Sequence, residues 1–125
     1  MGAESPAELL LALVRGVNGG DLPSVVACYE PDAVFVLPKD QGGEARGREA
    51  IGEAMSRFLA LNPTLSTNIT QTVEAGGVAL VLGDWTLEGT SPEGPVSMGG
   101  KFRDIVRRQA DDTWLYLVDN PFQPD

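Results

Sequence analysis

Residues 78–118 read VALVLGDWTLEGTSPEGPVSMGGKFRDIVRRQADDTWLYLV, and this stretch decides the fold. Aliphatic, Thr and aromatic residues crowd the runs 78–88, 96–109 and 114–118, and turn chemistry separates them, first Ser91 to Gly94, then Asp111-Asp112. Consecutive strands joined by such short connections make an antiparallel meander. Upstream, residues 66–74 carry Thr, Ile and Val throughout and lead into Gly76-Gly77, a hairpin-turn candidate, which adds one more strand. On the last run, alternation puts Trp114, Tyr116 and Val118 on one face and Leu115, Leu117 and Asp119 on the other. The same rule turns Asp84 to the side opposite Trp85, toward solvent, with a buried base as its alternative.

Ahead of the meander the spacing is helical. Leu9, Leu10, Leu13, Val14 and Val17 recur at helical intervals after Ser5-Pro6, which predicts an amphipathic first helix ended by Gly19-Gly20. Asp21 is the expected N-cap of a short second helix with Leu22, Val25, Val26 and Tyr29, and Pro31 with Asp32 breaks it. Residues 33–37 are a β-rich apolar run closed by Pro38, and residues 39–47 a glycine-laden loop. Residues 48–61 return to helical spacing through Ile51, Ala54, Met55, Phe58 and Leu59, until Asn62-Pro63 stops it. The order α-α-β-α-β-β-β-β predicts an α+β fold with helices packed on one face of a curved sheet.

A chain of 125 residues is one domain's worth, so a single unit over 1–125 is expected. Nine basic against 18 acidic residues leave a net charge of −9, a field that repels a phosphate backbone, so nucleic acid is not an expected partner. No apolar stretch approaches the ~18–20 residues of a membrane span, and acids stand where a secretory signal carries bases, which points to a cytoplasmic protein. Cys28, the single cysteine, has no internal disulfide partner, and the absence of histidine removes His-based catalysis and most transition-metal sites. No metal and no cofactor are expected. Asn68-Ile69-Thr70 fits a glycosylation acceptor but reads as strand sequence, and Gly42, Gly43 and Gly47 do not make a dinucleotide fingerprint. The loop holding those glycines is instead expected to be a flap over a pocket.

The element order resembles the nuclear transport factor 2-like superfamily, within it the SnoaL-like and ketosteroid isomerase-like proteins. The carriers are DLPSVVACYEPDAVFVL at 21–37, Gly47-Arg48-Glu49-Ala50-Ile51 opening a helix, and the closing VRRQADDTWLYLVDNPF at 106–122. The resemblance implies a cone: a bent, mixed but mostly antiparallel sheet wrapped around three helices, with a mostly apolar pocket at one end. It also implies a homodimer packed through the outer sheet face and, from relatives with the closing Trp-and-DNPF pattern, a polyketide-like ligand of bacterial secondary metabolism.

Acid-base chemistry on such a scaffold must come from Asp, Glu, Lys, Arg or Tyr. Leu37 stands directly before Pro38, where the resemblance places a ketosteroid isomerase's aspartate base, and leucine takes no proton. Arg103, Asp104 and Asp119 echo the Arg and Asp set of epoxide hydrolases of this fold and are the candidate catalytic residues. Arg103 and Asp104 are adjacent, however, so on a regular strand they point to opposite faces. The resemblance places Asp119 and Asn120 at the pocket mouth, with the alternative that Asp119 caps the exit turn together with Asn120-Pro121. Tyr29, Phe35, Met55, Phe58, Leu59, Trp85, Met98, Trp114 and Tyr116 are the large side chains available to line a pocket or fill the core, and Lys101 and Asn120 could bind ligand polar groups. Lys101, Arg103 and Arg107 share a strand face, read either as a site for an anion or as a solvated or dimer-lining surface with cross-strand partners such as Glu88. The sequence thus points to a protein that binds an apolar or aromatic small molecule, as a cyclase- or isomerase-like enzyme or, lacking the base at Leu37, as a binding or dimerisation module.

Overall fold

The computed structural model describes residues 2–122. Helix α1 spans Pro6–Asn18, with the Ser5 hydroxyl accepting the Glu8 N–H at its start, and α2 spans Leu22–Val26, capped in the same way by Asp21. Strand β1 (Tyr29–Val36), a 3-10 turn at Lys39–Gln41, β2 (Glu44–Arg46) and α3 (Gly47–Leu59) follow. Then come the meander strands β3 (Thr64–Ala75), β4 (Val78–Ser91), β5 (Gly94–Arg108) and β6 (Trp114–Asp119). They form one six-stranded sheet in the order β2-β1-β6-β5-β4-β3, antiparallel throughout except where β1 lies parallel to β6. The fold is the expected α+β arrangement, a mixed, mostly antiparallel sheet against three helices.

Apolar periodicity explains the packing. Leu9, Leu10, Leu13 and Val17 of α1 and Ile51, Ala54 and Met55 of α3 are buried, and so are the alternating Ala79, Val81, Trp85 and Leu87 of β4. Each fully buried side chain of this size contributes roughly 2 kcal/mol, so these three stripes hold the helices on one sheet face. Asn18 fastens α1 to the sheet edge: its side-chain amide donates to the Leu65 carbonyl at 3.1 Å and accepts the Leu65 N–H at 2.6 Å.

Several local expectations are corrected. Tyr29 does not belong to the second helix. The helix ends at its C-cap Ala27, and the next residue's carbonyl, that of Cys28, accepts the Tyr116 N–H at 2.8 Å, so the chain is already pairing with β6 when it reaches Tyr29. Pro31 and Asp32 are absorbed as an exposed irregularity inside β1, where its register against β6 shifts between Tyr29 and Val34. The loop at 39–47 contains the short strand β2, paired to β1 through Phe35 and Ala45, and is therefore tethered rather than a free flap.

Two bulges reset the faces of the sheet. Ile69 opposes Gly83 and Gln71 opposes Leu82, so Thr70 is an extra residue in β3. Ile105 opposes Val118 and Val106 opposes Tyr116, so Leu117 is extra in β6. Beyond that bulge the alternation inverts. Trp114 and Tyr116 face inward as expected, but it is Asp119, not Val118, that continues their buried face.

Candidate functional site

A cavity lies between α1, α3 and the concave face of the sheet, with about 600 Å³ of free space including its open mouth. Helix α1 contributes Leu10, Leu13 and Val17 to its wall, α3 contributes Met55 and Phe58, and β1 contributes Phe35. The sheet adds Leu65 and Thr67 from β3, Trp85 and Leu87 from β4, Phe102 and Asp104 from β5, and Asp119 from β6. Pro121 and Phe122, just past β6, complete it.

Those last residues are strapped down. The Trp85 indole N–H donates to the Pro121 carbonyl at 2.6 Å, and the Phe122 ring meets the indole edge-on with centroids 5.6 Å apart. One step earlier, the Asn120 N–H donates to Asp104 Oδ1 at 2.8 Å and the Asn120 carbonyl accepts the Arg103 N–H at 3.0 Å. The exit turn is thus held by Asp104, and the expectation that Asp119 caps it is corrected.

Asp119 has a different partner. The Tyr29 hydroxyl donates to Asp119 Oδ2 at 2.5 Å, and the Tyr29 ring stacks on Tyr116 with centroids 5.2 Å apart. Asp104 and Asp119, 3% and 5% exposed, also hydrogen-bond to each other through their side chains. Two like charges so placed cannot both ionise in the same pH range, so the pair holds a proton to higher pH than ordinary carboxyls. Burial, then the neighbouring Asp119 charge, pushes Asp104 well above the carboxylate range. Burial also raises Asp119, but the bonds from Tyr29 and Asp104 hold it to about 6. Of the two, Asp119 ionises first and Asp104 holds its proton to higher pH. Burial and the same carboxyls push both tyrosines well above their usual value, so both remain neutral donors, and the nearby Cys28 thiol is raised to about 11. Such a thiol is inert at neutral pH.

Phe35, Met55, Phe58 and Trp85, expected to line a pocket, line this one, and Asp104 and Asp119 meet there. The other expected residues sit elsewhere. Tyr29 and Tyr116 are fully buried behind the carboxyl pair, and Leu59 and Met98 pack partly buried against the core. Trp114 is buried beside the start of α1, where its backbone N–H donates to the Ala3 carbonyl. Asn120 contributes backbone bonds at the strap. Arg103 and Lys101 are corrected: both are exposed on the outer sheet face, because they alternate with the inward Phe102 and Asp104. The Arg and Asp set of an epoxide hydrolase is therefore not assembled. Arg107, on the same outer face, pairs with Glu30 through two bonds of 2.8 and 2.5 Å, while Glu88 accepts from Ser97. The guanidinium of Arg107 and the Gln109 amide hold the Glu30 carboxyl below its usual range.

Sequence reading missed the wall residues of α1 and the partnership of Tyr29 with Asp119. The α1 stripe reads as core because cavity and core present the same apolar face. Nothing local in the sequence pairs residues 90 positions apart.

The chain belongs to the SnoaL-like domain family, whose model matches residues 10–116. Its fold is that of solved nuclear transport factor 2-like proteins. It is similar to a nuclear transport factor 2-like superfamily protein from Salmonella enterica, at 15% identity over 94% of this chain and 87% of that one, with a TM-score of 0.81. It is similar to a nuclear transport factor 2-like protein with a cystatin-like fold from Novosphingobium aromaticivorans (16% identity, 90% of this chain and 75% of that one, TM-score 0.75). A ketosteroid isomerase-like protein from Erwinia carotovora atroseptica also aligns (18% identity, 94% of each chain, TM-score 0.73). At such identities the likeness is one of fold. No curated protein matches the chain.

Proposed function

We propose that the cavity binds an apolar or aromatic small molecule and that the Asp104 and Asp119 pair moves a proton on it, as in a cyclase- or isomerase-like enzyme. The observation that carries this reading is a pair of buried carboxyls, Asp104 and Asp119, at the floor of a wall that is otherwise almost wholly apolar. Asp119, ionised and steadied by the Tyr29 hydroxyl, takes the proton from a carbon or hydroxyl of the ligand. Asp104, still protonated, donates to the oxygen on which negative charge develops. The division of labour follows from environment: one carboxyl has a phenol donor to stabilise its charge and the other lies against that charge. The family resemblance adds a polyketide-like ligand of secondary metabolism to this reading, and the sequence adds the cytoplasmic setting expected from it. In its alternative the protein only binds or dimerises, which Leu37 in place of a first-strand base favours.

We also infer a homodimer through the outer sheet face. Val34, Val118, Ile105, Leu80 and Val73 stand in register across five neighbouring strands and make an apolar row there, with Leu80 and Val73 41% and 49% exposed. Arg103 on β5 and Asp84 on β4 lie on the same outer face to one side of the row, offering both signs of charge to a second copy.

Co-crystallisation with planar aromatic and polyketide-like compounds tests the site. Density between α1, α3 and Trp85, touching Asp104 or Asp119, is expected, together with hydrogen-deuterium exchange at an enolisable position of the bound compound that Asp119→Asn abolishes. Binding without exchange leaves the binding-module reading, and an empty cavity across the panel overturns the ligand site and leaves only the dimerisation module.

A further inference from the structure

The wall of the cavity holds five aromatic rings, Phe35, Phe58, Trp85, Phe102 and Phe122, and two carboxyls, with no Lys or Arg among its described lining residues. Lys101 and Arg103 project from the opposite face of the sheet, and Arg107 is engaged by Glu30 there. Buried charge is normally paired with an opposite charge or a metal. Here the floor of the cavity has no protein cation to pair with. We propose that the ligand supplies it: the cavity takes an organic ammonium ion carried on an apolar or aryl body, its N–H groups donating to Asp104 and Asp119 and its charge facing the aromatic wall.

The chemistry of the donors selects an ammonium over the other classes. A hard metal cation wants six or more oxygen ligands, whereas no group of three His, Cys, Asp or Glu side chains fit to hold a metal occurs among the described residues. An anionic ligand meets repulsion with no compensating cation. A neutral ketone would accept the Asp104 proton but leave the Asp119 charge uncompensated. An ammonium satisfies both carboxyls, and aromatic faces add cation-π attraction in a site partly shielded from water. The groups facing the pair are Tyr29 on β1, Tyr116 on β6 and the Cys28 thiol between α2 and β1, all neutral donors near neutral pH, while α1 and α3 present only apolar side chains. None of them competes with the ligand for the charge. This inference goes beyond the proposed proton transfer and rests only on its assignment of the cavity as a ligand site.

Calorimetry on the full chain with phenylalkylamines bearing one to four methylenes, beside the matching alcohols and carboxylates, tests it. The best amine is expected to bind at least about tenfold more tightly than its alcohol, with no detectable binding of the carboxylate. Asp119→Asn, which removes the carboxyl that ionises first, is expected to erase the preference for the amine, and Asp104→Asn to retain it. Equal affinity for amine and alcohol, or a carboxylate that binds as well, overturns the ammonium inference and leaves the apolar cavity standing. Failure of every compound overturns the ligand site itself. Should either variant fail to fold, the ranking on the native protein decides.

Discussion

The hydroxyl of Tyr29, at the first position of β1, donates to the carboxylate of Asp119, at the last position of β6, across 2.5 Å. The bond joins the two parallel strands at the floor of the cavity and sets which of the paired carboxyls ionises first. Because that donor stabilises the charged form of Asp119, Tyr29→Phe removes a force holding its pKa down. Carboxyl resonances followed by NMR titration are expected to show Asp119 ionising above the present value of about 6 in Tyr29→Phe. An unchanged midpoint contradicts the assignment of Tyr29 as the stabilising donor.

Both carboxyls of the pair are raised in the folded protein, so the folded state retains protons that the unfolded chain has released. Stability must then fall as pH rises from the ordinary Asp value of 3.8 through about 6 for Asp119, and on through the higher value of Asp104. A rise of that size at Asp119 corresponds to roughly 3 kcal/mol. Asp104→Asn keeps an oxygen for the Asn120 N–H but removes the like charge, and it is expected to be more stable than the native protein at pH 8. The gain shrinks toward pH 4, where the native pair is already protonated. Urea melts across this range check the crossover, and a variant equally destabilised at both pH values would contradict it.

At Gly83, β4 leaves no room for a side chain. A Cβ there would strike the Asn68 carbonyl oxygen of β3 and the ring of Phe102, its register partner on β5. One obstacle is backbone and the other is a buried ring, so neither moves aside cheaply. Gly83→Ala is expected to cost about 2–4 kcal/mol in urea denaturation, whereas alanine at exposed Thr86 on the same strand changes stability by less than about 1 kcal/mol. A neutral Gly83→Ala would contradict the close approach of the Asn68 carbonyl and the Phe102 ring to this position.

Leu80 lies at the centre of the exposed end of the apolar row, between Val73 and Ile105. A charge placed there leaves the core untouched but repels its own symmetry mate. Light scattering at micromolar concentration is expected to give a dimer mass for the native chain and a monomer mass for Leu80→Glu, with unchanged far-ultraviolet dichroism. A monomeric native protein ends the dimer inference.

Much of the fold was legible because periodicity is local. The stripe of Leu9, Leu10, Leu13 and Val17, the caps at Ser5 and Asp21, the turns at Gly76-Gly77 and Ser91 to Gly94, and the alternation along β4 each depend on residues a few positions apart. The outward turn of Lys101 and Arg103 relative to Asp104 was contained in the same alternation. What alternation could not supply was the extra residue Leu117, since a bulge is defined only by the strand it is paired against. That one residue carries Asp119 from the outer face to the floor of the cavity, where Asp104 and Tyr29 arrive from other strands. The sequence by itself determined the elements and the chemistry available, a chain without histidine that must rely on carboxyls and phenols. Only the tertiary structure decided which carboxyls meet, because their meeting and the shared proton that follows depend on register across the sheet and on removal from water, and neither is a property of neighbouring residues.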